Sequence, residues 1–242
     1  MSKYGLIGKS LGHSFSKAFF TEYFQKNNID STYDNIELDS IDAFVNVKNQ
    51  FKGFNVTIPY KEDIIPFLDE VVDEAAEIGA VNTVVQKDGR SIGYNTDAFG
   101  FHQSIKPFFS NKHERALILG TGGASKAVAY VLEKLGVNVI YLSRNPKNSN
   151  EFAYEEANEM MLSACKMIVN CTPVGTSPDI DSSPLESLEG VGPDHLVVDL
   201  IYNPEETALL KSAKEKSAMT LNGLDMLKAQ ALRSYEIWQG NV

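Results

Sequence analysis

The sequence predicts an α/β chain of two domains, the second built on a doubly wound parallel sheet. Three observations predict it. Strand and helix signals alternate through the first hundred residues, and after the polar stretch Asn111 to Glu114 the continuous apolar run Ala116-Leu117-Ile118-Leu119 reads as a strand buried on both faces. The glycine-rich turn Gly120-Thr121-Gly122-Gly123-Ala124-Ser125 then joins that strand to a helix. At 242 residues, 43% apolar and 22% charged, the chain has material for one large domain or two small ones, and the change of pattern favours two.

A strand at 3–8 is followed by a helix carrying Phe19, Phe20, Tyr23 and Phe24 on one face, a strand at 32–38 and a helix near 41–49. A strand at 53–58 leads into short helices at 61–68 and 71–78. The runs 82–86 and 91–94 flank Lys-Asp-Gly-Arg, whose Asp-Gly pair is a hairpin signal, and a helix follows at about 97–109. The second half reads as strand 115–120, helix 123–135, strand 137–142, a weak helix near 151–162, strands 166–171 and 195–201, helix 205–216 and strand 218–221. Residues 176–193, rich in proline and without periodicity, read as a surface loop. A last helix at about 224–239 comes after the second domain and can cross back to the first. The expected boundaries are 1–101, 102–222 and 223–242.

The formal net charge of −10, without a dense Lys/Arg stretch, opposes a nucleic-acid partner. No apolar run approaches the roughly 20 residues a membrane span needs, and no signal peptide is evident, so the expected setting is the cytoplasm, without a membrane partner. Cys165 and Cys171 lack a second cysteine pair or a nearby histidine and read as buried free thiols. His13, His102, His113 and His195 are scattered, so no metal is expected.

Two segments carry chemistry. In Gly53 to Lys61, Val56 and Ile58 alternate with Asn55 and Thr57, Pro59 ends the pairing, and Lys61 arrives at a strand end, where α/β proteins often place catalytic groups. Taken alone, that segment favours a plainer role as the start of a surface helix. In the glycine-rich turn, Gly120 permits a tight bend, Gly122 lets a pyrophosphate approach the backbone, and the amides opening the helix supply positive partial charge. A purely structural strand-to-helix turn competes with this. After the next strand, Arg144 offers a planar cation for a 2′-phosphate, supported by Ser143 and Asn145, where an acidic residue would favour NAD. NADP is therefore the expected cofactor.

Taken together, ordered segments through nearly the whole chain resemble the shikimate dehydrogenase family. They are His13-Ser14-Phe15-Ser16, Asn55 to Lys61, Gly79 to Thr83, Gly93 to Gly100, Gly120 to Ala124, Ser143 to Asn148, Asn170 to Gly175, Val198 to Pro204, and Asn222 to Leu227 with Gln230. The resemblance implies an N-terminal α/β substrate domain, a Rossmann-like domain for NADP and a C-terminal helix packing back on the first domain. It implies Lys61 and Asp97 as the catalytic pair. Ser14 and Ser16, placed to point the same way in an extended segment, would grip a substrate carboxylate with Tyr202. Thr57, Asn82 and Gln230 would bind ring hydroxyls together with Asp97. Gly120, Thr121, Gly122, Gly123 and Ala124 would hold the cofactor with Ser143, Arg144 and Asn145, while Leu200 and Gly223 would lie by the nicotinamide and Asp73 is a weaker candidate near the cofactor. Taken singly, a helix cap for Ser16 or Asp97, a turn amide for Asn82 and a solvated Gln230 are the plainer roles.

The chain also departs from the family pattern. Lys17, Phe20 and Thr21 stand where a proline and a His-Asn pair are usual, Ser-Arg-Asn replaces Asn-Arg-Thr, and the stretch from Arg144 to Asn170 is short. The implied activity is NADPH-dependent reduction of 3-dehydroshikimate to shikimate, a step of chorismate and aromatic amino-acid biosynthesis, by a monomer or homodimer. A quinate dehydrogenase, with NAD as an alternative cofactor, is the neighbouring reading. A regulator that senses a dinucleotide without turnover is a third, opposed by the presence of both Lys61 and Asp97, because binding alone needs no acid/base pair.

Overall fold

The computed structural model describes residues 1–12 and 14–241, so His13 of the first motif lies outside the described residues. The chain divides into two compact units, one of 1–99 with 230–242 and one of 100–229. Both divisions fall inside helices, two residues before and seven residues after the boundaries expected from sequence (101 − 99 and 229 − 222).

The first unit contains β1 (Ser2–Gly8), α1 (Phe15–Lys26), β2 (Ser31–Glu37), the single turn α2 (Phe44–Val47), β3 (Gly53–Val56), β4 (Glu70–Val71), α3 (Asp73–Ile78), β5 (Thr83–Lys87) and β6 (Arg90–Tyr94). α4 (Asp97–Ile105) begins in it. Its sheet has the order β2-β1-β3-β5-β6-β4 and is mixed. β1 pairs in parallel with β2 and β3, β5 runs antiparallel to β3 and β6, and β4 joins the edge parallel to β6. The expected hairpin forms at Asp88 and Gly89, both with positive φ (52° and 76°), as a two-residue turn matching the strand twist requires.

An aromatic cluster fills one side of this sheet. Trp238 stacks on Tyr4 with ring centroids 4.6 Å apart and donates its indole N–H to the Val84 carbonyl at 3.0 Å. Phe20, fully buried where the family has a histidine, stacks on Tyr33 at 4.6 Å and approaches Trp238 at 5.4 Å. The C-terminal segment is thereby part of the first unit's core.

The second unit contains β7 (Arg115–Leu119), α5 (Gly123–Lys134), β8 (Asn138–Leu142), β9 (Glu151–Phe152), α6 (Glu159–Ala164), β10 (Met167–Asn170), β11 (Leu196–Asp199), α7 (Ala208–Glu215) and β12 (Met219–Leu221). α8 (Leu224–Trp238) begins in it and ends in the first unit. The sheet order is β12-β11-β10-β7-β8-β9 with every pairing parallel, a doubly wound sheet. β7 and β10 lie in the middle, and their apolar runs are buried on both faces.

Four expected helices are corrected. Residues 61–68 form turns and one 3-10 turn, Ile65–Phe67, because Pro66 cannot donate an intrahelical bond and the Lys61 carbonyl is taken by the Val81 amide at 2.7 Å. At 71–78 the helix starts only at Asp73, since Glu70 and Val71 pair with Ile92 and Gly93. Residues 41–49 break into 3-10 and α turns around Phe44. In 151–162 the first two residues add a strand beside Tyr141 and Leu142, and regular helix waits for the Asn158 cap, whose side chain accepts from the Met161 amide. Cys165 is buried as expected, but Cys171 is only partly so.

Candidate active site

β3 lies between β1 and β5, and all four of its residues are buried. Two further bonds prolong its hold on the sheet, from the Val56 amide to the Asn82 carbonyl and from the Thr57 amide to the Ile7 carbonyl, each 2.9 Å. Tyr60 then closes a turn on Thr57 and donates its hydroxyl to the Leu38 carbonyl at 2.5 Å. Lys61 leaves this mount with its side chain 15% exposed, and its Nζ meets Asp97 Oδ2 at 2.5 Å. Asp97, the first residue of α4, accepts the Asn82 side-chain amide on Oδ1 at 2.8 Å. Neighbouring Asn95 fixes that junction, donating to the Ala80 carbonyl and accepting the Ala98 amide. It thus takes the capping role considered for Asp97.

Behind the pair lies a buried polar network in the first unit. Asn82 Oδ1 accepts the Thr96 amide at 2.7 Å, and its Nδ2 approaches Thr96 Oγ1 at 3.0 Å and Gln230 Oε1 at 3.4 Å. Ser234 Oγ lies 2.7 Å from Thr83 Oγ1 and 3.1 Å from Thr96 Oγ1, and accepts from Asn55 Nδ2 at 2.9 Å. Asn55 Oδ1 in turn accepts the Tyr33 hydroxyl at 2.8 Å. Burial raises the Tyr33 phenol far above its usual pKa, and the Ser16 hydroxyl beside it partly offsets this. Ser16 is thereby linked to Lys61 through Tyr33, Asn55, Ser234, Thr96, Asn82 and Asp97.

Sequence reasoning gave no role to Tyr33, Asn55, Thr83, Thr96 or Ser234. The first carried no signal, the next three lay inside the quoted motifs, and Ser234 follows Gln230 by one helical turn, a spacing that could have found it. Ser14 and Ser16 do not share an extended segment. Ser14 is the N-cap of α1, its Oγ accepting the Lys17 amide at 3.3 Å, while Ser16 lies in the first helical turn. Lys17 supplies here the amide hydrogen that the family's usual proline lacks. The cap is therefore Ser14 and not Ser16. Thr57 is half-buried just beyond β3, and Asp73 is exposed in the first turn of α3.

The second unit holds the other expected residues. Gly120 has φ of 96°, Gly122 is the N-cap of α5 and Gly123 its first residue. Thr121 and Gly122 are exposed, Ala124 half-buried, and a side chain added at Gly122 would meet nothing within 4 Å, so the turn is open to a ligand. Ser125, where a third glycine is common, folds its hydroxyl back on the Gly122 carbonyl at 2.6 Å. β8 pairs with β7 through Leu142 and Leu119, which brings Ser143 to Asn145 beside this turn. Ser143 is buried and accepts the Asn145 amide at 3.2 Å, leaving Arg144 and Asn145 exposed. An open turn at a helix N-terminus with an exposed guanidinium on the neighbouring strand end fits a dinucleotide carrying a 2′-phosphate. Gly223 donates to the Ile201 carbonyl at 3.0 Å, and a Cβ there would overlap the Leu200 carbonyl, so only glycine fits. Tyr202 is half-buried, which raises its phenol pKa. Among the described residues no cluster of three or more His, Cys, Asp or Glu could hold a metal ion, and no helix is long and apolar enough to cross a membrane.

Residues 6–84 match the family described as shikimate dehydrogenase substrate binding domain, and residues 91–180 match the NAD binding domain of D-isomer specific 2-hydroxyacid dehydrogenases. A shikimate dehydrogenase (NADP(+)) of Carboxydothermus hydrogenoformans is 41% identical over 257 residues, covering 98% of this chain and 91% of that protein. The chain belongs to the shikimate dehydrogenase family. Among solved structures, the family member from Thermus thermophilus in complex with NADP(H) and shikimate is 33% identical with a TM-score of 0.87, covering 99% of this chain and 94% of that one. A quinate dehydrogenase from Corynebacterium glutamicum in complex with NAD has a TM-score of 0.88 at 28% identity, covering 99% and 94%.

Proposed function

We propose that this member of the family is an NADP-dependent shikimate dehydrogenase that reversibly reduces the ring ketone of 3-dehydroshikimate, in the synthesis of chorismate and the aromatic amino acids. The observation that carries the reading is the Lys61–Asp97 pair at 2.5 Å, nearly buried and backed by Asn82. Interconverting a ketone and an alcohol needs a proton at the oxygen, and the Lys61 ammonium is the mobile proton in this cluster. NADPH, held by Gly120 to Ala124 and Ser143 to Asn145, would supply the hydride for the carbon of that carbonyl. Lys61 gives its proton to the oxygen as the carbonyl becomes an alkoxide, and in the reverse direction its amine takes the proton back. Asp97 stabilises the charged lysine and fixes its position, and Asn82 keeps Asp97 turned toward it.

The substrate is an anion rich in hydroxyls, which suits the donor set. Ser14 and Ser16 are assigned to its carboxylate with Tyr202, and Thr57, Asn82, Asp97 and Gln230 to its ring hydroxyls. The Ser14 Oγ already accepts a backbone amide, so its own proton is left to donate, as a carboxylate requires. Gly120 to Ala124 are assigned to the pyrophosphate, Ser143, Arg144 and Asn145 to the 2′-phosphate, and Leu200 and Gly223 to the nicotinamide. Asp73, exposed at the start of α3, is the most peripheral member of the cofactor set. Every residue invoked comes from one chain, so a monomer or a homodimer would serve. The free cysteines suit a reducing, cytoplasmic setting.

A steady-state assay pairing shikimate or quinate with NADP+ or NAD+ tests the reading. The highest kcat/KM is expected for shikimate with NADP+. A clear preference for quinate with NAD+ would replace this function with that of a quinate dehydrogenase, and no turnover of either would remove the enzyme reading.

A further inference from the structure

We propose that Asp199 is a positioning residue for the pyridine dinucleotide, acting as the hub that holds the turn after β11 and the loop after β10 in register. The inference rests on the function proposed above. Asp199 and Asn170 are register partners at the C-terminal ends of adjacent parallel strands, the edge where α/β sheets receive their ligands. Asp199 has no exposed surface, and its partners are hydrogen-bond donors from three segments. Its Oδ1 accepts the Asn170 side-chain amide at 3.0 Å and the Ile201 amide at 3.1 Å, while Oδ2 accepts the Thr207 hydroxyl at 2.7 Å.

Two arms run from this hub to groups assigned to the cofactor. Through the Ile201 amide it sets the turn bearing Leu200, whose carbonyl is packed so closely on Gly223 that no side chain fits between them. Through Asn170 it sets the next loop, because Asn170 Oδ1 accepts both the amide and the hydroxyl of Thr172 at 2.9 and 2.7 Å. Thr172 in turn is the nearest neighbour of the Gly120 α-carbon's open side, 3.0 Å from where a Cβ would stand. A third bond anchors the hub to α7, since Thr207 caps that helix by accepting the Leu210 amide.

A carboxylate is costly in such a place. Burial pushes the Asp199 carboxyl above its usual range, offset by the bonds from Thr207, Ile201 and Asn170. A side chain needed only to fill the corner would carry no such cost. Both arms toward the cofactor share Oδ1, which an amide also offers, while the carboxylate's second oxygen accepts the Thr207 hydroxyl and ties the hub to α7.

The test measures NADPH affinity by isothermal titration calorimetry on the full chain, well below the unfolding midpoint, for Asp199→Leu and Asp199→Asn. Asp199→Leu orphans three donors and is expected to raise the NADPH Kd by about tenfold or more, while Asp199→Asn, which keeps shape and the two Oδ1 bonds, stays within about threefold of the unmodified chain. A merely structural role would lower the unfolding midpoint and leave the Kd of the folded chain unchanged, and that result overturns the proposal. An Asn variant as weak as the Leu variant overturns it too. If Asp199→Leu does not fold, Asn170→Ala is measured instead, with a rise of about threefold expected and an unchanged Kd counting against the hub. An unmodified chain that neither binds NADPH nor oxidises shikimate defeats the function on which the inference stands, whereas normal turnover with unaltered variants defeats Asp199 alone.

Discussion

Lys61 is a cation that has given up most of its water for one carboxylate, so its removal has two separable effects. Lys61→Ala takes away the proton donor, and we expect kcat to fall by roughly 10²- to 10⁴-fold with a smaller change in the KM for shikimate. Steady-state kinetics on the purified variant checks this, and equal turnover would take Lys61 out of the mechanism. The same change strands Asp97 without its partner, at a stability cost of about 3–5 kcal/mol if the carboxylate stays charged. Arg144 acts on the cofactor instead. Arg144→Ala should lower kcat/KM with NADP+ by about tenfold or more while leaving NAD+ little changed, and an unchanged cofactor ratio would mean that another group reads the 2′-phosphate. In sequence, Lys61 is singled out through the ordered resemblance, since its segment alone favours the start of a surface helix, and Arg144 through its place after the strand that follows the glycine-rich turn. Ser234 and Tyr33 are not. The i, i+4 spacing to Gln230 puts Ser234 on the same helix face without saying that its hydroxyl meets Thr83, and Tyr33, in an ordinary strand, gives no sign that it meets Asn55; both contacts are made across the fold.

At the scale of elements, the reading from sequence held where one periodicity ruled and slipped where pairing overrode it. β7, α5 and the Asp88-Gly89 hairpin follow their patterns almost to the residue. β4 and β9 were missed because two-residue edge strands have no period to detect, only a neighbouring edge that accepts them. β3, a four-residue strand inside its sheet, shows how tightly a strand can be specified. A Cβ at Gly53 would run into the Trp238 indole, which is 2% exposed and held by its bond to Val84. Gly53→Ala should therefore destabilise the chain by about 1–3 kcal/mol in urea unfolding, where a tolerant site would show almost none.

The turn before β7 carries a pH dependence. His113 accepts the Ser110 amide on Nδ1 at 3.0 Å and is 6% exposed. Burial lowers its pKa, with His195 and Lys112 nearby adding to the effect. The unfolded chain takes up this proton as pH drops below about 6.5 and the folded chain does not, so the contribution is intact above that pH and is lost as pH falls toward the lower folded value. Unfolding free energy measured at pH 7.5 and 5.5 should fall less for His113→Gln than for the unmodified chain. Glu151 and Asp194, whose folded pKa values are lowered, lose their contributions only in the more acidic carboxylate range, which keeps the two effects apart.

As a whole, the molecule is two sheets threaded by one chain, the last thirteen residues returning to complete the unit in which the chain began (242 − 229). The two-domain α/β organisation and the parallel second sheet were legible from the alternation of elements and the apolar run at β7. Which unit would own the C-terminal segment was not settled by pattern, because amphipathicity gives a face to bury and not its partner. Here the partners are Tyr4, Phe20 and Val84 of the first sheet and its covering helix. The chain contains a single tryptophan, and it sits in that cluster. Its fluorescence is therefore a private reporter of one unit, while far-ultraviolet circular dichroism sums over both. If the units unfold separately, the two signals should give different midpoints in a denaturant titration; coincident curves would show that they melt as one cooperative body. An indole placed to close a sheet thus also lets an optical measurement follow the half bearing Lys61 without touching it.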